Sequence, residues 1–211
     1  MERREAIKNL GLSLGFVVST PTILSLLQSC QNKTESWVPA FFNIEEGMVL
    51  QQLVDIILPK TDTPGALDVN VPQFIDAFVN ETFETEEKTH LKTEFSLLMN
   101  TIKTEYNQDI NDVNPENYDN LLSTYFKIDE VKLENWEAQI ETYKASENQT
   151  TNGIEDALQF DLLNNIRSMS VLGYKSSEMV GENILAYDPI PGVYIPCGNL
   201  DELTGGKDWS L

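Results

Sequence analysis

Apolar residues recur at helical spacing along most of this chain. Val49, Leu50, Leu53, Val54, Ile57 and Leu58 fall on one face at steps of three and four, which predicts an amphipathic helix that Pro59 ends. The stretch KTDTPGALDVNVP is rich in turn formers and is punctuated by Pro64-Gly65. It leads into a second stripe of Phe74, Ile75, Phe78 and Val79. A third helix carries Leu91, Phe95, Leu98, Met99, Ile102 and Tyr106, with Thr85 as its expected cap. After the break NQDINDVNP, Asn114 followed by Pro115 reads as an N-cap with proline at the first helical position, ahead of Tyr118, Leu121, Leu122 and Tyr125. Leu133, Trp136, Ile140 and Tyr143 mark a fifth helix. Asn152 with Glu155 three residues on has the form of a capping box and opens a sixth, through Leu158, Leu162, Ile166 and Met169 to Gly173.

No alternating strand pattern competes with these stripes. The expected fold is therefore all-α: an irregular helical bundle of about five or six helices. The last forty residues differ in kind, because prolines at 189, 191 and 196 forbid a helix there. They predict an extended, Pro-rich C-terminal arm.

The N-terminus has its own logic. Arg3-Arg4 and Lys8 precede a run from Leu10 to Leu27 that contains Gly11, Gly15 and Pro21. That run is marginal for a membrane span, which needs about 20 apolar residues, and suits a signal-peptide core. The arginine pair ahead of a moderately apolar core reads as a twin-arginine signal, the route for proteins exported already folded. An ordinary secretory signal holding two arginines is the alternative. Leu27-Gln28-Ser29-Cys30 resembles a bacterial lipobox, with Cys30 as the lipidated residue; a free cysteine after an uncleaved anchor is the other reading. The organisation expected is a signal peptide over 1–29, a lipidated tether over 30–44 and a helical domain over 45–211. The mature protein would sit on the periplasmic side of a membrane or at the cell surface, held by lipid.

Charge and cysteine content narrow the function classes. The chain has 14 basic and 34 acidic residues, a net charge of −20, and removal of residues 1–29 leaves 11 and 32, a net of −21. Such a surface cannot neutralise phosphates, which excludes nucleic acid as a partner. With Cys30 acylated only Cys197 remains, so no internal disulfide is expected.

Candidate chemistry is sparse. The single histidine, His90, is flanked by Glu86, Glu87 and Glu94 at helical spacing, and reads as one polar group on a solvated face rather than a metal ligand. It lies near no nucleophile motif, so no catalytic triad is expected. Neither a G-x-G-x-x-G turn nor a P-loop occurs, and there is no haem or iron–sulfur motif. Asp62 and Asp68 in the Pro-Gly loop read as turn stabilisers, in preference to an acid/base pair or a calcium site. Trp136 and the tyrosines read as core. No catalytic, cofactor-binding or metal-binding residue is expected in this chain.

Two segments carry a family resemblance: LPKTDTPGALDVNVPQFID, from Leu58 to Asp76, and GYKSSEMVGENILAYDPIPGVYIPC, from Gly173 to Cys197. Over Phe41 to Leu211 the chain resembles the gluconate 2-dehydrogenase subunit 3 family of bacterial accessory subunits. The family pattern favours an aromatic where Lys175 stands and often a glycine where Pro196 stands. The resemblance implies a small non-catalytic subunit that escorts, matures and anchors a large FAD-dependent (GMC-type) sugar or sugar-acid dehydrogenase, with FAD in that partner and a cytochrome c subunit as a further partner. Docking to the flavoprotein is expected through Asp62, Thr63, Pro64 and Gly65 together with Tyr187, Pro189, Pro191, Gly192, Tyr194 and Cys197; the other reading is that both segments simply cap the bundle. Two other functions compete. A stand-alone surface lipoprotein would have a binding or structural role, and a free-standing enzyme would show a pocket with perturbed carboxylates.

Overall fold

In the computed structural model, residues 37–106, 109–146, 149–190, 192–193, 195 and 197–210 are described. Arg3, Arg4 and Cys30, and with them the signal and lipidation readings, lie outside these residues, as do Pro191 and Tyr194.

Helix α1 (Ile44–Ile57) opens on a complete capping box: Asn43 Oδ1 accepts from the Glu46 backbone N–H, and the Glu46 carboxylate accepts from that of Asn43. It stops where Pro59 forbids another turn. A 3-10 turn (Leu67–Val69) leads into α2 (Val71–Thr82), with proline in its first turn. The long α3 (Thr85–Tyr106) follows. A second 3-10 turn (Ile110–Asp112) precedes α4 (Pro115–Phe126), capped by Asn114 through the Asn117 N–H. Asp129 caps α5 (Glu130–Ala145) in the same way, through Lys132. Helix α6 (Glu155–Lys175), the short α7 (Glu178–Asn183) and α8 (Leu200–Thr204) complete the order. The described residues form no strand, only an isolated bridge between Ala186 and Trp209, so the class is all-α.

Among the described residues, six of the eight helices match the sequence stripes. The other two lie in the last forty residues, where no helix is expected: the prolines at 189, 191 and 196 exclude a helix only around themselves, and α7 and α8 form on either side, too short at six and five residues to show a period. Two caps differ from expectation. Thr85 is the first helical residue, and the N–H before it, on Glu84, goes to Glu87 Oε2. Asn152 does not cap α6; Glu155 Oε2 instead takes the N–H of Gly153, which sits at φ +83°.

Helix α6 is the centre of the packing, in contact with α1, α2, α3, α4, α5 and α7. Its burial explains why: Leu158, Leu162, Leu163 and Ile166 are fully buried, while Ala157, Phe160 and Met169 close the other sides. A helix apolar around most of its circumference must be surrounded. Each such aliphatic side chain stabilises the fold by about 1.5–3 kcal/mol. At Gly173 a β-carbon would lie 2.5 Å from the Phe74 ring, so α2 reaches this closely only because α6 has no side chain there. Trp136, as expected, is core, between the rings of Tyr125 and Phe160 at 5.8 and 5.4 Å.

The compact unit runs from Pro39, ahead of the expected boundary at residue 45. The cause is Asp76 on α2, a buried carboxylate that accepts the backbone N–H groups of Ala40 (2.6 Å), Phe41 (2.9 Å) and Phe42 (3.0 Å).

Candidate partner surface and an acid-lined cleft

The Pro-Gly segment folds as a closed loop between α1 and α2. The Ala66 N–H returns to the Leu58 carbonyl at 2.9 Å, and Thr61 and Thr63 close an inner turn. Closure requires glycine at 65, where a β-carbon would sit 2.6 Å from the Lys60 nitrogen. Asp68 is the internal strut. Its Oδ2 accepts from Gly65 N–H at 2.9 Å and its Oδ1 from Lys60 Nζ at 3.0 Å. The Gly65 amide first, and Lys60 second, hold its carboxyl below the usual carboxylate range. The turn-stabilising role expected of Asp62 and Asp68 thus belongs to Asp68. Asp62 is exposed, and makes no hydrogen bond among the described residues.

Tyr174, near the end of α6, donates its hydroxyl to the Pro64 carbonyl at 2.8 Å. The two stretches that carry the family resemblance meet here, through a residue that sequence reasoning did not single out. Tyr174→Phe should lower the unfolding free energy by about 1 kcal/mol, the ordinary net worth of one such bond. Urea denaturation checks this, and an unchanged midpoint would mean that the loop holds itself.

Of the loop residues expected at a partner surface, Gly65 is buried and Thr63 and Pro64 are half-buried, which leaves Asp62 and its neighbour Leu67 facing out. The C-terminal residues are different. Tyr187, Pro189, Gly192 and Cys197 are all exposed. Among the described residues, ten of the fifteen exposed large apolar side chains lie between Val171 and Trp209, so this part of the chain carries most of the exposed apolar groups. The segment is tied back at one end: Ala186 exchanges backbone hydrogen bonds with Asp208 and Ser210, and Lys175 Nζ reaches Asp208 Oδ2 at 2.9 Å. Lys175, where the family pattern favours an aromatic, thus fastens α6 to the chain terminus. No hydrogen bond among the described residues joins the Asp62–Asp68 loop to Tyr187–Cys197.

A second feature went unread in the sequence. A cleft of about 600 Å³ lies against α3, α5 and α6, lined by Phe83, Leu91 and Met169 and by Glu94, Lys144 and Asp161. Lys144 Nζ pairs with Asp161 Oδ2 at 2.5 Å. Glu94 is only 2% exposed, and burial first, with the Asp161 charge second, pushes its carboxyl up to about 8. His90 is not solvated as expected. Its side chain is 12% exposed, its ring stands edge-on to Tyr143 at 5.5 Å, and its Nε2 lies 2.8 Å from Gln149 Nε2. The legible signal was Glu94 itself, three residues after Leu91 and four before Leu98, an acid within the apolar stripe.

A perturbed carboxyl in a cleft is what the enzyme reading predicts. However, His90 is engaged with Gln149 and Lys144 with Asp161, so no nucleophile and base are paired there among the described residues.

The fold is thus that of an all-α domain wrapped round one central helix, with its exposed apolar side chains concentrated in the C-terminal segment. Residues 44–192 match the family described as Gluconate 2-dehydrogenase subunit 3, and the chain belongs to that family, consistent with an accessory subunit of a dehydrogenase. The match ends before Val193, short of the Leu211 to which the sequence resemblance extends. No curated protein and no solved structure matches the chain.

Proposed function

We propose that this protein is the non-catalytic small subunit that escorts, matures and anchors a large FAD-dependent sugar or sugar-acid dehydrogenase of the GMC type. The observation that carries the reading is the family match over residues 44–192. The apolar surface between Val171 and Trp209 supports it as a place for a partner to bind. In this reading Arg3 and Arg4 direct export of the folded complex. Cys30 carries lipid that holds it on the periplasmic side of a membrane or at the surface, FAD resides in the partner, and a cytochrome c subunit takes the electrons. The docking surface is the exposed C-terminal segment, with Tyr187 and Ile190 as apolar anchors.

Purification of the tagged chain from solubilised membranes tests this. A yellow eluate containing a large flavoprotein without its own signal is the expected result. Tyr187→Ala combined with Ile190→Ala should weaken its retention by more than about 30-fold, the loss of about 2 kcal/mol that an interface hot spot carries. A colourless, solitary chain would transfer the protein to the stand-alone lipoprotein class. A flavoprotein retained equally by the double variant would place docking elsewhere.

A further inference from the structure

We propose that the cleft against α3, α5 and α6 binds a small organic cation with an apolar body, an arylalkyl or alkyl primary amine in class, whose ammonium is held by Glu94 and Asp161. The cleft, at about 600 Å³, has the volume of a small-molecule site. Phe83, Leu91 and Met169 offer hydrocarbon contact. Charge selects the sign of the ligand, since five carboxyl groups line the cleft (Glu84, Glu86, Glu87, Glu94 and Asp161) against one ammonium, Lys144, already bonded to Asp161. The exposed glutamates around the first turn of α3 add a field that draws cations toward the opening.

The second observation is Glu94. It lines the cleft and is almost wholly buried, and its hydrogen-bonding neighbour is another carboxyl, Asp161, so the two acids can share a proton but not both carry charge without a further cation beyond Lys144. A buried carboxyl in that position is satisfied only by holding a proton or by meeting a cation. An incoming ammonium brings both hydrogen-bond donors and charge. An ammonium fits better than a metal ion, because no three His, Cys, Asp or Glu side chains converge among the described residues.

Binding then competes with a proton. The groups facing Glu94 are Asp161 from α6, Lys144 and Tyr143 from α5, and His90 on its own helix, with Glu86 and Glu87 beyond. The carboxyl raised to about 8 must lose its proton to the solvent when the ammonium arrives, so affinity should increase with pH up to that value.

Titration calorimetry on the full-length protein in detergent, with benzylamine and the neutral isostere benzyl alcohol as probes, tests this. Benzylamine should bind with a Kd on the order of 1 mM and at least about tenfold more tightly near pH 8 than near pH 6, while benzyl alcohol gives no saturable heat. Glu94→Gln, an uncharged isostere of the protonated acid, should weaken benzylamine by about tenfold or more, and Glu86→Gln at the rim by less than about threefold. Equal binding of the two probes to the unaltered protein, no saturable binding of benzylamine, or a Glu94→Gln variant that binds as tightly would each overturn the assignment. The probe comparison needs no variant, so it decides even if Glu94→Gln folds poorly.

Discussion

Asp76→Ala should lower the unfolding free energy by about 3–5 kcal/mol, the largest single loss expected from a side chain outside the apolar core. One carboxylate accepts three successive backbone N–H groups, from Ala40, Phe41 and Phe42, and no other acceptor among the described residues bonds them. Hydrogen bonds to a charged acceptor contribute about 1.5–3 kcal/mol each, and truncation leaves the buried Phe42 donor unpaired while the part-buried Ala40 and Phe41 donors turn to water. The loss spreads further, since the Phe42 ring packs at a tilt against Phe95 of α3, with ring centroids 5.0 Å apart, and the chain then enters the Asn43 capping box. For a domain of this size the melting temperature should fall by about 10 °C. Asp76→Asn keeps one oxygen as acceptor, and should lose about half as much. Thermal melts of the two variants check the order. If both match the unaltered protein, the N-terminal clamp is not what fixes residues 40–42. The position matters for the proposed function as well, because in a chain held by lipid at Cys30 any pull along the tether would reach the folded unit first at these three amides.

The helices were legible because their apolar stripes are long and regular, and because Asn114-Pro115 is unambiguous cap chemistry. Asp76 was not legible: it sits three residues before Val79 and one after Ile75, and nothing local shows that its acceptors will be met by amides more than thirty residues away. Glu94 could have been read, but its neighbours Glu86 and Glu87 are exposed, and the run disguises one buried acid among solvated ones. Asp161 was hidden in the same way beside Leu158 and Leu162. In the Pro-Gly loop the sequence announced a turn, and Gly65 and Asp68 confirm why. That Tyr174 would brace it from 110 residues away depends on the packing of α6, which no local pattern encodes. Exposed apolar residues near the C-terminus were visible as a Pro-rich segment, yet their concentration as surface emerges only once α6 and α7 take up the neighbouring apolar groups.

The buried acid also sets the pH dependence of the fold. Glu94 ordinarily titrates near 4.5, and in the folded protein near 8, mainly because burial penalises its charge and secondly because Asp161 is charged beside it. Between those values the folded protein holds a proton that the unfolded chain has released. Folding therefore takes up a proton, and stability falls as pH rises from 4.5 toward 8, then levels off. The slope cannot exceed about 1.4 kcal/mol per pH unit for one group, so across the window from 4.5 to about 8 the total loss is bounded at about 5 kcal/mol. Asp68 acts oppositely: its lowered value adds stability above its ordinary range that disappears in acid, and its exposure keeps that contribution small. The two together predict a domain most stable in mildly acidic solution. Glu94→Gln should remove the alkaline decline, leaving the variant more stable than the unaltered protein above pH 8 and similar to it near pH 5. Urea midpoints from pH 5 to 9 decide the matter. Parallel curves for the two proteins would mean that Glu94 is charged in the folded state and that Lys144 serves both acids, whereas convergence at low pH would identify the proton between Glu94 and Asp161 as part of the fold.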